Sequence, residues 1–586
     1  MSFARPRIPV LTQILLALAL CSASCASHTP AATSAATATA PVAAPTSDTI
    51  DVQLLAMNDF HGALEPPAGS NGRIAQTIAG GIEYMATHLA ALAKTNPNTL
   101  IVSAGDNIGA TPLLSGMFHD EPSIEGLSTA GLALSAVGNH ELDEGWDELY
   151  RMQNGGCHPV DGCQDNTPFA GAAFHYLSAN LLVDPAVAPP QMLQRSGWTA
   201  PANRQPATLF PPYAVREFSG VKIGFIGLTL RTVGSIVSPS AMQGLVVRPE
   251  AAAANEVALT LREQGVHAIV VLIHEGGVPT ADAGQEDPNG CDGLRGPIVT
   301  IATDLSPDID VVVSGHTHRA YVCTIAAKLV TSASSFSRLV TDIDLKVDRS
   351  SGRVVSKSAH NVIVTRDVEK NAAETALLDH YRPIAASVAG RPVGTSAGVI
   401  PRGANAVGDS ALGDIIADAM LEQARAVAGH VDAAFTNIGG IRSDLVASGS
   451  EGTITYGDLF NVLPFGNIVM VKTLSGDAIA RMLEQQTPNR VLQISSTVRY
   501  AWDPAKPQGS RVNRSTIEIG GKPIVMTEQY RVVSNDFVWN GGDEFLAATE
   551  GVAPVAIGTD VDIFLAYVGK HSPLKGGPQD RIRLDR

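Results

Sequence analysis

The chain has no excess of positive charge: 41 Lys and Arg stand against 57 Asp and Glu, a net of −16 over 586 residues. That balance repels nucleic acid and anionic lipid, so an anionic substrate has to be drawn in locally, by metals or placed arginines. No internal apolar run reaches membrane-span length, and no repeat is evident at solenoid periods. Cysteine is scarce, with six in all and none in C-x₂-C spacing, which argues against a Cys-rich zinc site. What remains is globular: 45% hydrophobic and 17% charged residues, in a chain with room for two or three domains.

The first 25 residues read as targeting. Arg5 and Arg7 precede an apolar-rich run from Ile8 to Leu20, short for a membrane span and suited to an export signal. Ser22-Ala23-Ser24-Cys25 resembles a lipoprotein cleavage site, so Cys25 is a candidate lipid anchor; a free periplasmic protein is the alternative. Residues 26–48, almost wholly Ala, Thr, Ser and Pro, cannot bury enough apolar surface to fold and read as a disordered tether. Beyond Cys21 and Cys25 four cysteines remain, an even number that suggests two disulfides in an exported chain. Three connectivities are open, and the pairs nearest in sequence, Cys157–Cys163 and Cys291–Cys323, are expected.

From Thr49 to about Val364 short apolar strands alternate with helical stretches. Strands are predicted at Asp51–Met57, Thr99–Ser103, Val221–Leu228, Ala268–Ile273 and Ile309–Ser314, and helices at Ile82–Lys94, Glu250–Gln264 and Pro297–Thr303. Asp367–Ala389 reads as one helix interrupted by Pro383, linking this half (49–366) to a second one (395–586) across 367–394. In the second half a helix is predicted at Ala411–Val427. Strands are predicted there at Asp432–Thr436, Ile468–Leu474, Arg531–Ser534 and Ile563–Tyr567.

Five segments carry metal-ligand side chains. They are Asn58-Asp59-Phe60-His61-Gly62, Gly105-Asp106, Gly138-Asn139-His140-Glu141, Ile273-His274-Glu275-Gly276 and Gly315-His316-Thr317-His318. Each alone is weak: with 15 histidines in 586 positions, H-x-H arises by chance about 0.4 times. Their order is far harder to obtain by accident, and Asp59, Asp106, His274 and His316 all fall near a strand's C-terminal end, where α/β folds assemble sites. Four imidazoles and three oxygen ligands suit Zn²⁺, Mn²⁺ or Fe at a paired site, and point to metal-assisted phosphoester hydrolysis.

In that order the motifs resemble the calcineurin-like metallophosphoesterases, and within them the secreted 5′-nucleotidase family, over the whole chain after the tether. The resemblance implies an α/β fold: an N-terminal metallophosphoesterase β-sandwich flanked by helices, a linker helix, and a C-terminal α+β substrate-binding domain. It implies that Asp59, His61, Asp106 and His318 hold one divalent metal, and that Asp106, Asn139, His274 and His316 hold the other, with Asp106 bridging. The pair would lower the pKa of bound water, giving a hydroxide that attacks phosphorus. It further implies that His140 pairs with Asp143, which would favour a protonated imidazole able to assist the leaving oxygen. Asp143 as a plain helix N-cap is the structural alternative.

The second half carries the family's substrate motifs as well. Asn437-Ile438-Gly439-Gly440-Ile441-Arg442 looks like its N-x-G-G-x-R segment, where glycines such as Gly440 let the backbone approach and Arg442 forks onto phosphate. Pro464-Phe465-Gly466-Asn467 and Phe537-Val538-Trp539-Asn540-Gly541-Gly542-Asp543 match two more. By resemblance Phe465 and Phe537 clamp the base, Asp543 binds the ribose and Arg402 adds a phosphate contact. The implied activity is release of phosphate from nucleoside 5′-monophosphates, with no nucleic-acid partner. Alternatives are cleavage of 2′,3′-cyclic nucleotides or nucleotide sugars, thiosulfate-ester hydrolysis, or nucleotide binding without catalysis.

Overall fold

The computed structural model describes residues 48–67, 72–237, 241–280 and 287–585. The expected export signal, the candidate anchor Cys25 and all of the tether but Asp48 lie outside them. Among the described residues no helix is long and apolar enough to cross a membrane.

The fold is mixed α/β in two domains. In the first half, two six-stranded sheets pack face to face. One runs Val354–Ile363, Leu339–Asp348, Thr49–Met57, Thr99–Ser103, Leu132–Ala136, His175–Leu177. The other runs Ala320–Ile325, Lys328–Ala333, Val311–Ser314, Ala268–His274, Val221–Thr229, Tyr213–Phe218. Val52, Leu54, Val102 and Leu134 of one sheet meet Ile223, Phe225, Val270 and Val313 of the other in a single buried core. The central strands are parallel, so helices Ile82–Ala93, Glu121–Thr129, Glu250–Glu263 and Pro297–Asp304 cross over the outer faces. Strands covered on both faces become continuous apolar runs, and Ala268–His274 is buried at every position.

The second half has a five-stranded sheet, ordered Leu492–Ile494, Ala433–Asn437, Gln529–Asn535, Ile468–Ser475, Val552–Thr559. Helix Ala411–Ala428 is capped by the Ser410 side chain and buries Leu412, Ile416, Met420 and Ala424. Gly413 meets Gln493 so closely that a Cβ would lie 2.4 Å from its Cγ, so only glycine fits there.

Two expectations need correction. Ile563–Tyr567 is not a strand but part of helix Asp560–His571, started by the Thr559 side chain accepting from Asp562 N. Its buried Val561, Phe564 and Val568 recur at helical spacing. The linking helix begins at Ala372 rather than Asp367, because Asn371 caps it by accepting from Ala373 N and Glu374 N. It does continue through Pro383 to Ala389. Both disulfides form as the nearest-neighbour pairs, Cys157–Cys163 and Cys291–Cys323, which marks an extracytoplasmic protein.

Candidate active site

The seven expected ligands converge at the C-terminal edges of the parallel strands. Asp59 follows strand Thr49–Met57, Asp106 follows Thr99–Ser103, and Asn139 follows Leu132–Ala136. His274 ends Ala268–His274, and His316 follows Val311–Ser314. Five of the seven sit at positive φ, namely Asp59 (51°), His61 (46°), Asp106 (53°), His316 (71°) and His318 (56°). Side chains with a Cβ avoid that region, so the surrounding fold enforces this backbone, as functional sites often do.

Two ligand groups share Asp106. In the first, His318 Nε2 lies 3.2 Å from Asp59 Oδ1, His61 Nε2 lies 3.1 Å from His318 Nε2, and Asp106 Oδ2 is 3.6 Å from His61 Nε2. In the second, His274 Nε2 is 3.0 Å from Asp106 Oδ2 and 3.2 Å from Asn139 Oδ1, and His316 Nδ1 is 3.0 Å from Asn139 Oδ1.

The protons decide what these groups can hold. His61 and His274 each point Nδ1 at a backbone carbonyl 2.9 Å away, Gly109 O and Ala104 O, which fixes Nδ1 as the donor. In a neutral ring Nε2 is then a bare lone pair facing other acceptors. Burial holds His61 well below its ordinary range, His318 below it, and, with the His274 charge, His316 down at about 3. Burial would also lower His274, but the Asp106 carboxylate carries it up to about 10. Neutral nitrogens at His61, His316 and His318, with the Asp59 and Asp106 carboxylates held low against burial by the histidines around them, are a donor set for cations, and a cation at Asp106 would take the place of the proton that His274 otherwise carries there. The buried His/Asp clusters fit a dimetal site.

His140 lies beside this centre. Its Nδ1 is 2.8 Å from Asp143 Oδ2, and its backbone N donates to Asp106 Oδ1 at 2.9 Å. Burial lowers the imidazole, but the Asp143 and Asp106 charges outweigh it and leave it raised. Asp143 is not a helix N-cap: the next helix, Trp146–Asn154, starts after Gly145 with no side-chain cap.

Residues of the second half reach the same place. Phe465 stacks on His140 with centroids 5.7 Å apart, and the Arg442 guanidinium lies 5.7 Å from the Phe465 ring. Burial lowers Arg442, opposed by the charges of Asp106, Asp143 and Asp59. Arg402 stands behind it, donating to Arg442 O at 3.0 Å, so it does not itself reach the metal-ligand groups through any contact among the described residues. Asn437 Nδ2 donates to Asp543 Oδ2 at 3.3 Å, and Asn437 Oδ1 accepts from Asn535 Nδ2 at 2.9 Å. Gly440 lies against Asn437, where a Cβ would come within 3.2 Å of its Oδ1. Phe537 packs against Gly542, where a Cβ would sit 2.5 Å from the ring.

A family model described as "5′-nucleotidase, C-terminal domain" matches residues 392–550. A cell wall protein of Listeria monocytogenes is 31% identical over 548 residues, spanning 89% of this chain and 67% of its own length. The chain belongs to the 5′-nucleotidase family. The endonuclease YhcR of Bacillus subtilis is 29% identical over 91% of this chain, but the chain spans only 41% of that relative. The crystal structure of a 5′-nucleotidase precursor from Thermus thermophilus superposes with a TM-score of 0.72 at 24% identity, covering 91% of this chain and 99% of that one. The likeness shows a shared fold.

Three residues of this 5′-nucleotidase-family site received no role from the sequence. Glu141 is buried, and its carboxylate accepts from Asp106 N (2.8 Å), Asn107 N (2.7 Å) and Gly138 N (2.6 Å). It staples the loop of Asp106 to that of Asn139, and burial with the Asp106 charge pushes it up to about 7. Its neighbour Gly138 is held so close that a Cβ would fall 2.1 Å from Asp106 Oδ1. Asn58 donates to Asp59 Oδ2 and to Ser334 O, both at 2.6 Å, fixing the carboxylate. Phe336 wedges its ring 5.6 Å from His61 and 5.3 Å from His318. The signal for Glu141 was its place in the Gly138–Glu141 motif and for Asn58 its place at the head of Asn58–Gly62; Phe336 acts through contacts that no local pattern announces.

Proposed function

We propose that the chain is an exported phosphohydrolase that releases phosphate from nucleoside 5′-monophosphates. The observation that carries this reading is the pairing of Arg442 and Phe465 with His140, beside the Asp106 ligand groups. A phosphate group and a flat base bound by the second half would meet metal-ligand chemistry there. Asp59, His61, Asp106, Asn139, His274, His316 and His318 would hold two divalent cations (Zn²⁺, Mn²⁺ or similar), which when bound acidify water and neutralise phosphoryl charge. Arg442, backed by Arg402, grips the phosphoryl oxygens through its forked donors. His140 carries a proton at Nε2, held in place by Asp143 at Nδ1, and gives it to the leaving O5′. Phe465 and Phe537 take the base between flat faces, and Asp543, oriented by Asn437, accepts from the ribose hydroxyls. In this division of labour residues 49–366 do the chemistry, 367–394 link, and 395–586 choose the substrate, in the periplasm or on a lipid anchor at Cys25.

A second reading has its own support. Identity of 29% with a Bacillus subtilis endonuclease favours phosphodiester cleavage, for which 2′,3′-cyclic nucleotides are the small-molecule form. Turnover of AMP, ATP, a UDP-sugar, 2′,3′-cyclic AMP and p-nitrophenyl phosphate, read by released phosphate and by chromatography of the nucleotide products, with and without chelator, separates the two. Chelator-sensitive preference for AMP, abolished by Asp106→Ala, is the expected result. Preference for the cyclic nucleotide would move the substrate, and no turnover of any of them would overturn the hydrolase reading.

A further inference from the structure

Gly109 stands between His61 and the His140–Asp143 pair. Its carbonyl accepts from His61 Nδ1 at 2.9 Å, the contact that leaves Nε2 to face His318. On its other side a Cβ would fall 2.3 Å from His140 O and 2.7 Å from Asp143 Oδ2, so only glycine fits there. Gly109 and Ala110 both hold left-handed backbone, at φ of 78° and 51°. A non-glycine residue persists in that region only where its surroundings hold it.

The loop from Asp106 to Gly109 is pinned at both ends, each time by a buried carboxylate. Glu141 holds the amides of Asp106 and Asn107 at one end. Asp120 holds the other, with Oδ2 accepting from Gly109 N at 2.9 Å. Its Oδ1 accepts from Ser115 Oγ at 2.6 Å, and Thr111 supplies a further side-chain hydrogen bond. These donors are all neutral, although Asp120 is only 8% exposed and a buried carboxylate is costly without a charged partner. The ordinary structural role for Asp120 would be to cap helix Glu121–Thr129, at whose N-cap position it stands. Its side chain makes no cap hydrogen bond, and its φ of 64° lies outside the usual cap conformation. The carboxylate is turned to Gly109 instead.

We propose that Asp120 is a positioning residue for the metal centre. Its carboxylate fixes the Gly109 N–H, and the Gly109 carbonyl in turn fixes the tautomer and ring angle of His61. Metal-ligating histidines commonly give their second nitrogen to a carboxylate or carbonyl that orients the ring. Here the carboxylate acts one residue removed. The inference rests on His61 holding a cation, and not on which phosphoester is cleaved.

Zinc titration of the full exported chain against a competing chelator, with calorimetry of each variant, tests it. Glycine suits a φ of 64°, so Asp120→Gly removes the carboxylate without adding backbone strain. It is expected to weaken one of two zinc sites about 10–100-fold and to leave the other at wild-type affinity. Asp120→Asn keeps an acceptor for Gly109 N, with its amide turned to Ser115 Oγ, and should restore the affinity. In a His61→Ala background Asp120→Gly should weaken zinc no further, which assigns the effect to His61. Unchanged zinc affinity in Asp120→Gly, with only the thermal midpoint lowered, would overturn the proposal. So would an Asn variant as weak as the Gly one, since charge and not the hold on Gly109 would then act on the centre. A further loss in the His61→Ala background would place the effect elsewhere and sink the proposal as well. If Asp120→Gly does not fold, Asp120→Ser, too short to hold Gly109 N, is read in the same way. An unmodified chain that binds no zinc would overturn the dimetal reading itself, and this inference with it.

Discussion

Phe465 lies nearly parallel to the His140 imidazole, with centroids 5.7 Å apart and planes 23° from parallel. A residue from the second half thus touches the proton donor proposed for the chemistry. Stacking of a base on an aromatic face contributes about 1–3 kcal/mol. Phe465→Ala is therefore expected to raise KM for AMP roughly 10–100-fold, with a much smaller effect on p-nitrophenyl phosphate. Steady-state kinetics on both substrates checks this, and an equal loss on both would assign Phe465 to packing of His140 alone.

Asp143 holds His140 Nδ1 at 2.8 Å, so in the proposed mechanism it acts through that imidazole. Asp143→Asn keeps the shape but loses a charge that raises the imidazole. General acid catalysis contributes roughly 10²–10⁴-fold, so kcat should fall by up to that factor. Bound metal should stay at the wild-type level, since Asp143 belongs to neither ligand group. Elemental analysis beside kcat makes the distinction, and parallel loss of metal would refute a role in proton delivery.

Glu141 makes a different prediction, because it holds loops rather than substrate. Its three backbone donors leave no place for the amide hydrogens of Gln, so Glu141→Gln turns one acceptor into a donor facing N–H. The conflict costs about 1–3 kcal/mol. We expect a lower thermal midpoint and weaker metal binding together, read by calorimetry and by metal titration. A variant that loses activity while keeping both would contradict the staple.

The expected ligands Asp59, Asp106, His274 and His316 were legible because each comes at or just after the end of a strand that the apolar pattern predicted, whereas the strand before Asn139, Leu132–Ala136, was not predicted. Thr99–Ser103 was even predicted to the residue. Ile563–Tyr567 was not, since a five-residue apolar run fits strand and helix alike. The Thr559-to-Asp562 spacing ahead of it was the capping signal that separates them. Asn371 was likewise a readable cap for the linking helix. Phe336 and Arg490 were beyond reach: Arg490 comes within 4.0 Å of Asp543 only once distant segments fold together. Such residues carry no periodicity of their own.

One buried carboxyl in the linking helix gives stability a pH dependence. Glu374 has no exposed surface, and neither carboxyl oxygen has a hydrogen-bond partner among the described residues. Its buried neighbour Glu83 is different, bound by Lys370 Nζ at 2.7 Å and Thr375 Oγ1 at 2.6 Å. Burial first, then the Glu83 charge, pushes Glu374 from the ordinary 4.5 up to about 8. Between those values the native protein keeps a proton that the unfolded chain has released. Raising the pH through this window therefore destabilises the native state, by about 1.4 kcal/mol per pH unit from this group, and the slope ends above it. Glu374→Gln keeps the neutral shape and removes the titration. Thermal unfolding at pH 5 and pH 8 should show the variant losing less stability than the wild type between the two. Equal losses would mean that the Glu374 carboxyl is already ionised in the folded protein.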